Sequence, residues 1–284
     1  MTDPAGQSRK RRADQWLNTV NNLPPFPSVV QEVMALLDSN RSSAKDVARV
    51  ISRDEAITAK ILRVVNSAFY GTHSEVTTVS HAVTLLGFEQ LRLLIVGVAL
   101  LEQGRVRNPL ADQARKRIWE HSTACARWSQ ELARATRYQP VEEAAVAGLL
   151  HDVGKVVLAV SSPKEFTNSV VMSQAEGISS WEAEEKSMGF NHVETGRMVA
   201  ERWRLPSVVR YSIGLHHSPW PLGLEDDKDA KKLQHLLAIV RVANHAAKQS
   251  LAQNPADDAS EPRIVVSPEV LLERVYEVNG LLMD

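Results

Sequence analysis

The chain has 284 residues, of which 44% are hydrophobic and 24% charged, a composition typical of a globular protein with a sizeable buried core. Its formal net charge of -1 excludes a general electrostatic attraction to nucleic acid or to an anionic membrane. Because Cys125 is the single cysteine, an intrachain disulfide is excluded, and a reducing compartment is expected.

Neither a signal peptide nor a membrane span is predicted. The N-terminal stretch lacks an apolar core, and the most apolar run, residues 91–101, is shorter than the ~20 residues that a span needs. We therefore expect a cytoplasmic protein. The basic run at residues 9–12 is an alternative contact for nucleic acid, but a solvated tail explains it better.

The first elements in chain order are an extended entry and two capped helices. Residues 1–20 are expected to form a flexible lead-in, and the prolines within 23–27 favour an extended backbone. Ser28 is suited to cap the first helix. Ser43, followed three positions later by Asp46, resembles a capping box for the second helix.

Apolar residues at helical spacing predict the remaining elements. They indicate helices over residues 55–67, 78–86, 88–101, 111–136, 141–160, 182–189, 193–203, 207–217, 233–250 and from about 267 into the terminus. Gly87 separates the second of these from the third, because glycine suits the left-handed position after a helix. Alternating strand patterns are nearly absent, so we predict an all-α protein of about a dozen helices.

An ordered set of histidines is the most informative feature of the chain. An adjacent imidazole and carboxylate, His151-Asp152, can reach one divalent ion, although most isolated pairs of this kind are structural. Around this pair the predicted helices carry His121 upstream and His192, His216 and His217 downstream. Side chains from four helical segments can converge in the core of a bundle, where such folds place metals.

The order His, His-Asp, His, His-His resembles the HD superfamily of metal-dependent phosphohydrolases, in particular its HD-GYP cyclic-dinucleotide phosphodiesterase branch. Further motifs are similar to the HDOD domain: LPPFP at 23–27, AKIL at 59–62, NSAFYG at 66–71, AVTLLG at 82–87, GLLHDVGK at 148–155 and WRLP at 203–206. This resemblance implies an N-terminal helical subdomain packed on an HD-like helical core. The corresponding boundaries are a lead-in at 1–20, an N-terminal part at 21–110, a core at 111–250 and a C-terminal loop and helix at 251–284.

The resemblance also implies the roles of the site residues. His121, His151 and Asp152 would bind a first metal ion. His192, His216 and His217 would bind a second ion and share Asp152. The ions implied are Fe or Mn, with Zn or Ni as alternatives to them. Asp152 and Lys155 are the candidate catalytic residues, and Lys155 would hold a phosphate; its alternative role is that of a solvent-facing lysine.

The sequence departs from the hydrolase pattern at two places. Asn244 stands where HD hydrolases have a late metal-binding aspartate, and an amide oxygen is a weaker ligand that cannot act as a general base. The GYP signature is replaced by SPWP at residues 218–221. Both departures argue against hydrolysis of the HD-GYP kind, although Asn244 remains a candidate ligand.

Other polar side chains are expected to lie outside the site. Structural or exposed roles are favoured for His73, His81, His235 and His245. Cys125, one helical turn after His121, is expected to be a small buried residue. Glu182, Glu184 and Glu185 are interpreted as a solvated helix face rather than as ligands.

Two functions follow from these features. The first is a bacterial signal-transduction output module of the HDOD type with a metal-binding pocket and little or no hydrolase activity. The alternative is a metal-dependent phosphohydrolase or phosphodiesterase that acts on a nucleotide or another phosphoester. The expected partners are signalling proteins, with a phosphorylated small molecule as a candidate ligand; neither a membrane nor a nucleic acid is expected.

Overall fold

The computed structural model describes residues 28–39, 42–66, 75–102, 109–203, 205–218 and 228–253. Within these ranges every regular element is a helix and no strand occurs, which confirms the predicted all-α fold. Several predictions lie outside the described residues: the lead-in, the extended entry at 23–27, most of the NSAFYG motif, His73, the SPWP segment beyond Ser218 and the C-terminal helix.

Four helices make up the described N-terminal part. They are α1 (Ser28–Asp38), α2 (Ala44–Ile51), α3 (Glu55–Asn66) and α4 (Val79–Glu102). The capping box predicted for α2 is present, since the Ser43 hydroxyl accepts from the backbone of Asp46 and the Asp46 side chain accepts from that of Ser43. Gly87 interrupts α4 with φ of 75°, so the predicted break between two helices occurs there.

The first three helices pack on α4 and bury their apolar faces. Ile51, Ile57 and Ile61 are among the fully buried side chains of this part. Helix α4 also contacts the later helices α6 (Val141–Leu150) and α7 (Val153–Ser161). One hydrophobic cluster therefore continues from α1 into the helices that carry the histidines.

The C-terminal part surrounds the histidine motifs. Besides α6 and α7 it comprises α5 (Pro109–Ala135), α8 (Pro163–Glu176), α9 (Ser180–Met188), α10 (His192–Arg202), α11 (Ser207–Leu215) and α12 (Lys228–Gln253). A second cluster, made largely of small residues, joins α5, α6 and α12. Together α6 and α7 are apolar enough to span a membrane, but most of their apolar stretch is buried inside the protein, as in a core helix.

Two helix predictions are corrected. Residues 141–160 were expected to form one helix, but the chain breaks at His151-Asp152, where Asp152 has φ of −99° and ψ of 15°. Helix α8 was not predicted, because its apolar residues lack a strong period. Its local signals were Pro163 at the first turn and Gly177, which has φ of 65° at the C-terminal end.

A close helix crossing lies directly beside the break. Gly154 of α7 lies so near α10 that a Cβ atom would overlap the carbonyl of His192 and come within 2.8 Å of the Gly196 nitrogen. Only glycine permits this approach of the two backbones. The crossing therefore brings His192 close to the His151-Asp152 segment.

Candidate metal centre

The predicted histidines and aspartate converge in one pocket. They come from the ends of four helices and from the interior of a fifth. His151 and Asp152 form the junction between α6 and α7, and His192 begins α10. His216 and His217 directly follow α11, while His121 lies within α5. His151, Asp152 and His192 are at most 1% exposed, and His216 is 3% exposed.

Backbone carbonyls orient two of the rings. Nδ1 of His151 lies 2.7 Å from the carbonyl oxygen of Gly148, three residues earlier. Nδ1 of His216 lies 2.9 Å from the carbonyl oxygen of Ile213 in the same local arrangement. Because a carbonyl only accepts, each Nδ1 carries a proton and donates it. Both Nε2 atoms therefore point away from the helix end and toward Asp152.

A carboxylate orients the third ring. Nδ1 of His192 donates to Oε2 of Glu184 at 2.6 Å. Glu184 is 1% exposed, so its prediction as part of a solvated helix face is wrong. A signal was present in the sequence, since Glu184 lies one helical turn before Met188 and shares its buried face. The neighbouring Glu182 does cap its helix at the surface, as part of a capping box with Ser179.

The two oxygens of Asp152 have different neighbours. Oδ1 lies 3.3 Å from Nε2 of His192 and 3.4 Å from Nε2 of His216. Oδ2 lies 2.7 Å from the Lys155 ammonium, 3.4 Å from Nε2 of His151 and 3.7 Å from that of His121. Two ligands at ~2.1 Å from a tetrahedral ion are about 3.4 Å apart, so the Oδ1 contacts match the spacing of metal ligands.

The donor atoms fall into two groups with one shared member. In each group the ligand atoms all lie within 4.8 Å of one another. The larger group, here called the four-ligand group, comprises Asp152, His192, His216 and His217. The smaller, three-ligand group comprises His121, His151 and Asp152. These are the two sets implied by the sequence resemblance, now placed side by side around one carboxylate.

Several buried polar atoms of this pocket lack a hydrogen-bond partner. Nε2 of all five histidines of the two groups and Oδ1 of Asp152 have no hydrogen-bond partner among the described residues. An unsatisfied buried polar group costs about 1–3 kcal/mol, so a convergent set of them needs an explanation. A divalent cation would satisfy them together, and imidazole-rich donors fit a transition metal.

Burial keeps most of these rings neutral and therefore able to bind a metal. It lowers the pKa of His121 to about 3, that of His216 to about 4 and that of His217 to about 2. The pKa of His192 also falls well below its ordinary value, because of burial and the nearby Lys155 ammonium.

The His151-Asp152 pair behaves differently. Burial would lower the pKa of His151, but the Asp152 carboxylate and Cys125 outweigh it and raise this pKa to about 10. Burial likewise opposes ionisation of Asp152, yet Lys155 and His151 hold its pKa well below the usual range. Without an ion, the ammonium of Lys155 therefore balances the negative charge of the carboxylate, with the His151 ring beside the same oxygen.

Helix α12 closes the pocket with residues that the sequence motifs only partly identified. Asn244 is 7% exposed, and its Oδ1 has no hydrogen-bond partner among the described residues. One turn further on, Lys248 is exposed as a residue, and partial desolvation of its ammonium together with the Lys155 ammonium lowers its pKa. Arg241 donates from Nε to the carbonyl oxygen of His216 at 3.0 Å and fixes the paired histidines to α12. Neither Lys248 nor Arg241 was predicted to belong to the site.

Within the described part of the chain, the remaining candidates lie outside both groups. His81 and His245 are exposed, and His235 packs edge-on against the ring of Tyr138 at 5.3 Å. Cys125 is fully buried, with its sulfur 4.0 Å from the carbonyl oxygen of Val240.

Comparison with known proteins identifies the family to which this chain belongs. The family model of the HDOD domain matches residues 23–219. An uncharacterized protein of Treponema pallidum (strain Nichols) is 28% identical over 200 residues, which cover 70% of this chain and 38% of that protein. The chain thus corresponds to well under two thirds of that relative.

Solved structures agree on the fold. An HDOD domain protein of unknown function from Geobacter sulfurreducens is 25% identical with a TM-score of 0.64, over 97% of this chain and 90% of that one. A candidate phosphohydrolase from Shewanella amazonensis SB2B is 24% identical with a TM-score of 0.65, over 95% and 90% of the two chains. A candidate signal transduction protein from Marinobacter aquaeolei VT8 is 20% identical with a TM-score of 0.58, over 95% and 63%.

Proposed function

Because the chain belongs to the HDOD domain family, we propose that it is a signal-transduction module whose histidine pocket binds a divalent transition metal. The observation that supports the metal is the set of buried, unsatisfied Nε2 atoms that converge on Asp152. The expected partners are other signalling proteins, and the expected location is the cytoplasm. The N-terminal part at 21–110 and the core at 111–250 would be its two functional units.

The four-ligand group is the better site for a first ion. His192, His216 and Asp152 are already spaced as ligands, and His217 completes the set. The three-ligand group would hold any second ion, with Asn244 as a weak neutral ligand. Histidines with one carboxylate favour Fe or Mn, or alternatively Zn or Ni, over Mg or Ca.

Two features argue for little or no hydrolysis. The Lys155 ammonium already binds Oδ2 of Asp152, the carboxylate shared by the two groups. Asn244 supplies an amide in place of a carboxylate, so a candidate general base is absent at this position. The pocket would then act by binding an ion or a ligand and stabilising one arrangement of the helices around it.

A phosphohydrolase or phosphodiesterase is the second candidate function. It is favoured by Lys155, whose ammonium lies 2.7 Å from Oδ2 of Asp152. The exposed Lys248 adds a second positive charge that acts electrostatically on Asp152 and Lys155. An ion there would stabilise the negative charge of a phosphoryl group as a Lewis acid. Lys155 would orient that phosphate, and a phosphorylated small molecule would be the substrate or a signal.

Elemental analysis tests the metal proposal. Protein from cells grown with added Fe and Mn, and purified without chelator, should hold about one ion per chain, or two if both groups fill. His216→Ala should lose this ion, because it removes a donor of the four-ligand group. His245→Ala is the matched control, since this exposed histidine lies outside both groups. A metal-free wild-type protein would contradict the proposal.

Turnover measurements separate the two functions. Cyclic dinucleotides, nucleotides and bis(4-nitrophenyl) phosphate would be incubated with the protein and either Mn²⁺ or Fe²⁺. We expect negligible hydrolysis from a signalling module. Robust hydrolysis that disappears in His151→Ala would overturn that expectation and establish the phosphohydrolase.

A further inference from the structure

Among the described residues of the pocket, Glu184 is the only carboxylate that contacts Nδ1 of a candidate metal-binding histidine. Its Oε2 lies 2.6 Å from Nδ1 of His192 and 2.7 Å from the backbone nitrogen of the same residue. Both residues are at most 1% exposed. In contrast, backbone carbonyls hold Nδ1 of His151 and of His216.

The double contact determines which ring nitrogen of His192 carries the proton. Oε2 of Glu184 already accepts the backbone N–H of His192, and a carboxylate that is ionised, as at pH 8, only accepts hydrogen bonds, so Nδ1 must be the donor. The lone pair of the neutral imidazole is then on Nε2, which lies 3.3 Å from Oδ1 of Asp152. The second bond, from the backbone N–H at the start of α10, keeps the carboxylate in place while the ring is held.

The surrounding chain holds both partners rigidly. A capping box at Ser179 starts α9, and Gly189 ends it in the left-handed conformation with φ of 81°. Asn191 then caps α10 through the backbone N–H groups of Val193 and Glu194. On the other side, the carbonyl of His192 packs against Gly154. Neither Glu184 nor His192 can shift without breaking these contacts.

We propose that Glu184 is a positioning residue that holds His192 in the Nδ1-protonated form and directs its Nε2 atom to the ion. This inference rests on the proposed metal binding, because it assigns His192 to the four-ligand group. A carboxylate behind a metal-binding imidazole also raises the basicity of that ligand. Glu184 would therefore set both the orientation and the donor strength of His192.

Two substitutions and one control test the proposal at pH 8. Glu184→Gln preserves the shape and a neutral acceptor, whereas Glu184→Leu removes the acceptor. Glu185→Gln is the control, because this neighbouring carboxylate contacts Asn191 Nδ2 at 3.2 Å and not the ring. The readouts are the dissociation constant for Co²⁺, the electronic spectrum of bound Co²⁺, and the tautomer of His192 from ¹H–¹⁵N correlation spectra of the metal-free protein.

We expect Glu184→Gln to weaken Co²⁺ binding about tenfold and Glu184→Leu about 100-fold, the range for lost outer partners of metal ligands. The Co²⁺ spectrum should change, and in Glu184→Leu the His192 ring should populate both tautomers. The Glu185→Gln protein should match wild type in all three readouts.

The failures of the two proposals are distinguishable. If wild type binds Co²⁺ and both Glu184 variants bind it equally well with an unchanged spectrum, the positioning role is overturned. If Glu184→Leu does not fold, the affinity of Glu184→Gln decides that question. If wild type binds no metal, the metal proposal fails, and so does an ion-directing role for Glu184; the His192 tautomer then shows whether the geometric part still holds.

Discussion

The ammonium of Lys155 lies 2.7 Å from Oδ2 of Asp152, one helical turn away on the same segment. Oδ1 of the same carboxylate faces His192 and His216 instead. A buried carboxylate is strongly destabilising unless a cation balances it. Lys155 therefore competes for Asp152 with any ion in the pocket, and at the same time it holds the carboxylate ready for the four-ligand group.

Replacing Lys155 by methionine should strengthen metal binding. The substitution keeps the side-chain length but removes the competing ammonium, so the dissociation constant for Zn²⁺ or Mn²⁺ should fall about tenfold, equivalent to about 1.4 kcal/mol. Isothermal titration would measure it. Lys186→Met is the control, because the ammonium of Lys186 forms an exposed ion pair with Glu176 at 2.9 Å and is in neither ligand group. Weaker binding in Lys155→Met would show that the lysine assists the ion rather than competing with it.

Asn244→Asp should make stability depend on metal. A further buried carboxylate without a cation should lower the free energy of unfolding of the metal-free protein by about 2 kcal/mol or more. Added Mn²⁺ or Zn²⁺ should then raise the melting temperature more in this variant than in wild type. Gln249→Glu adds the same charge further along α12, where Gln249 contacts the exposed His245, and should not respond in this way. An equal response of both variants would place Asn244 outside the metal pocket.

The metal-free protein should lose stability as the pH falls below about 6.5, the ordinary pKa of histidine. Four pocket histidines, His121, His192, His216 and His217, have lowered pKa values in the folded state, so their stabilisation is present above this pH and is lost as the pH falls toward the folded values. His151 acts in the opposite direction, because its pKa is raised to about 10 and its stabilisation is greatest at low pH.

Four histidines of the pocket are opposed by His151 and by Glu184, whose pKa burial raises to about 7, which leaves a net two. The free energy of unfolding in urea should therefore be lower at pH 5.5 than at pH 7.5 by roughly 3 kcal/mol. Chelator must be present throughout, so that metal binding does not contribute. Equal stability at the two pH values would indicate that these rings are not held neutral in the folded protein.

Gly154→Ala should disrupt the site by separating two helices. The added Cβ would overlap the His192 carbonyl, which is backbone and cannot rotate away, so the cost should be about 3 kcal/mol or more. Gly177→Ala is the control: its Cβ meets open space and only the positive φ is strained, at about 1 kcal/mol. Urea unfolding followed by circular dichroism measures both, and a variant as stable as wild type would refute the close crossing.

The sequence by itself determined the helical class and most of the residues that converge in the pocket. Periodic apolar residues predicted most of the described helices, and Gly87 was recognised as a break because its backbone preference is local. The order of the histidines carried the family resemblance that implied both ligand groups, and the same residues lie together in the structure. The break at His151-Asp152 was missed, because the apolar residues from 141 to 160 have the spacing of one continuous helix. The break depends on contacts with other segments, which this spacing does not show.

Only the tertiary structure decided how the histidine rings of the pocket are oriented and how the charge of Asp152 is balanced. Glu184 looks like a surface residue in its own helix, and it is buried because α10 starts beside it and supplies two donors to its carboxylate. Lys248 is distant in sequence from Asp152, and the packing of α12 against α5 and α6 brings it to the same pocket. Local spacing specifies which side chains can share a helix face, whereas burial and charge balance depend on neighbours that are remote in the chain.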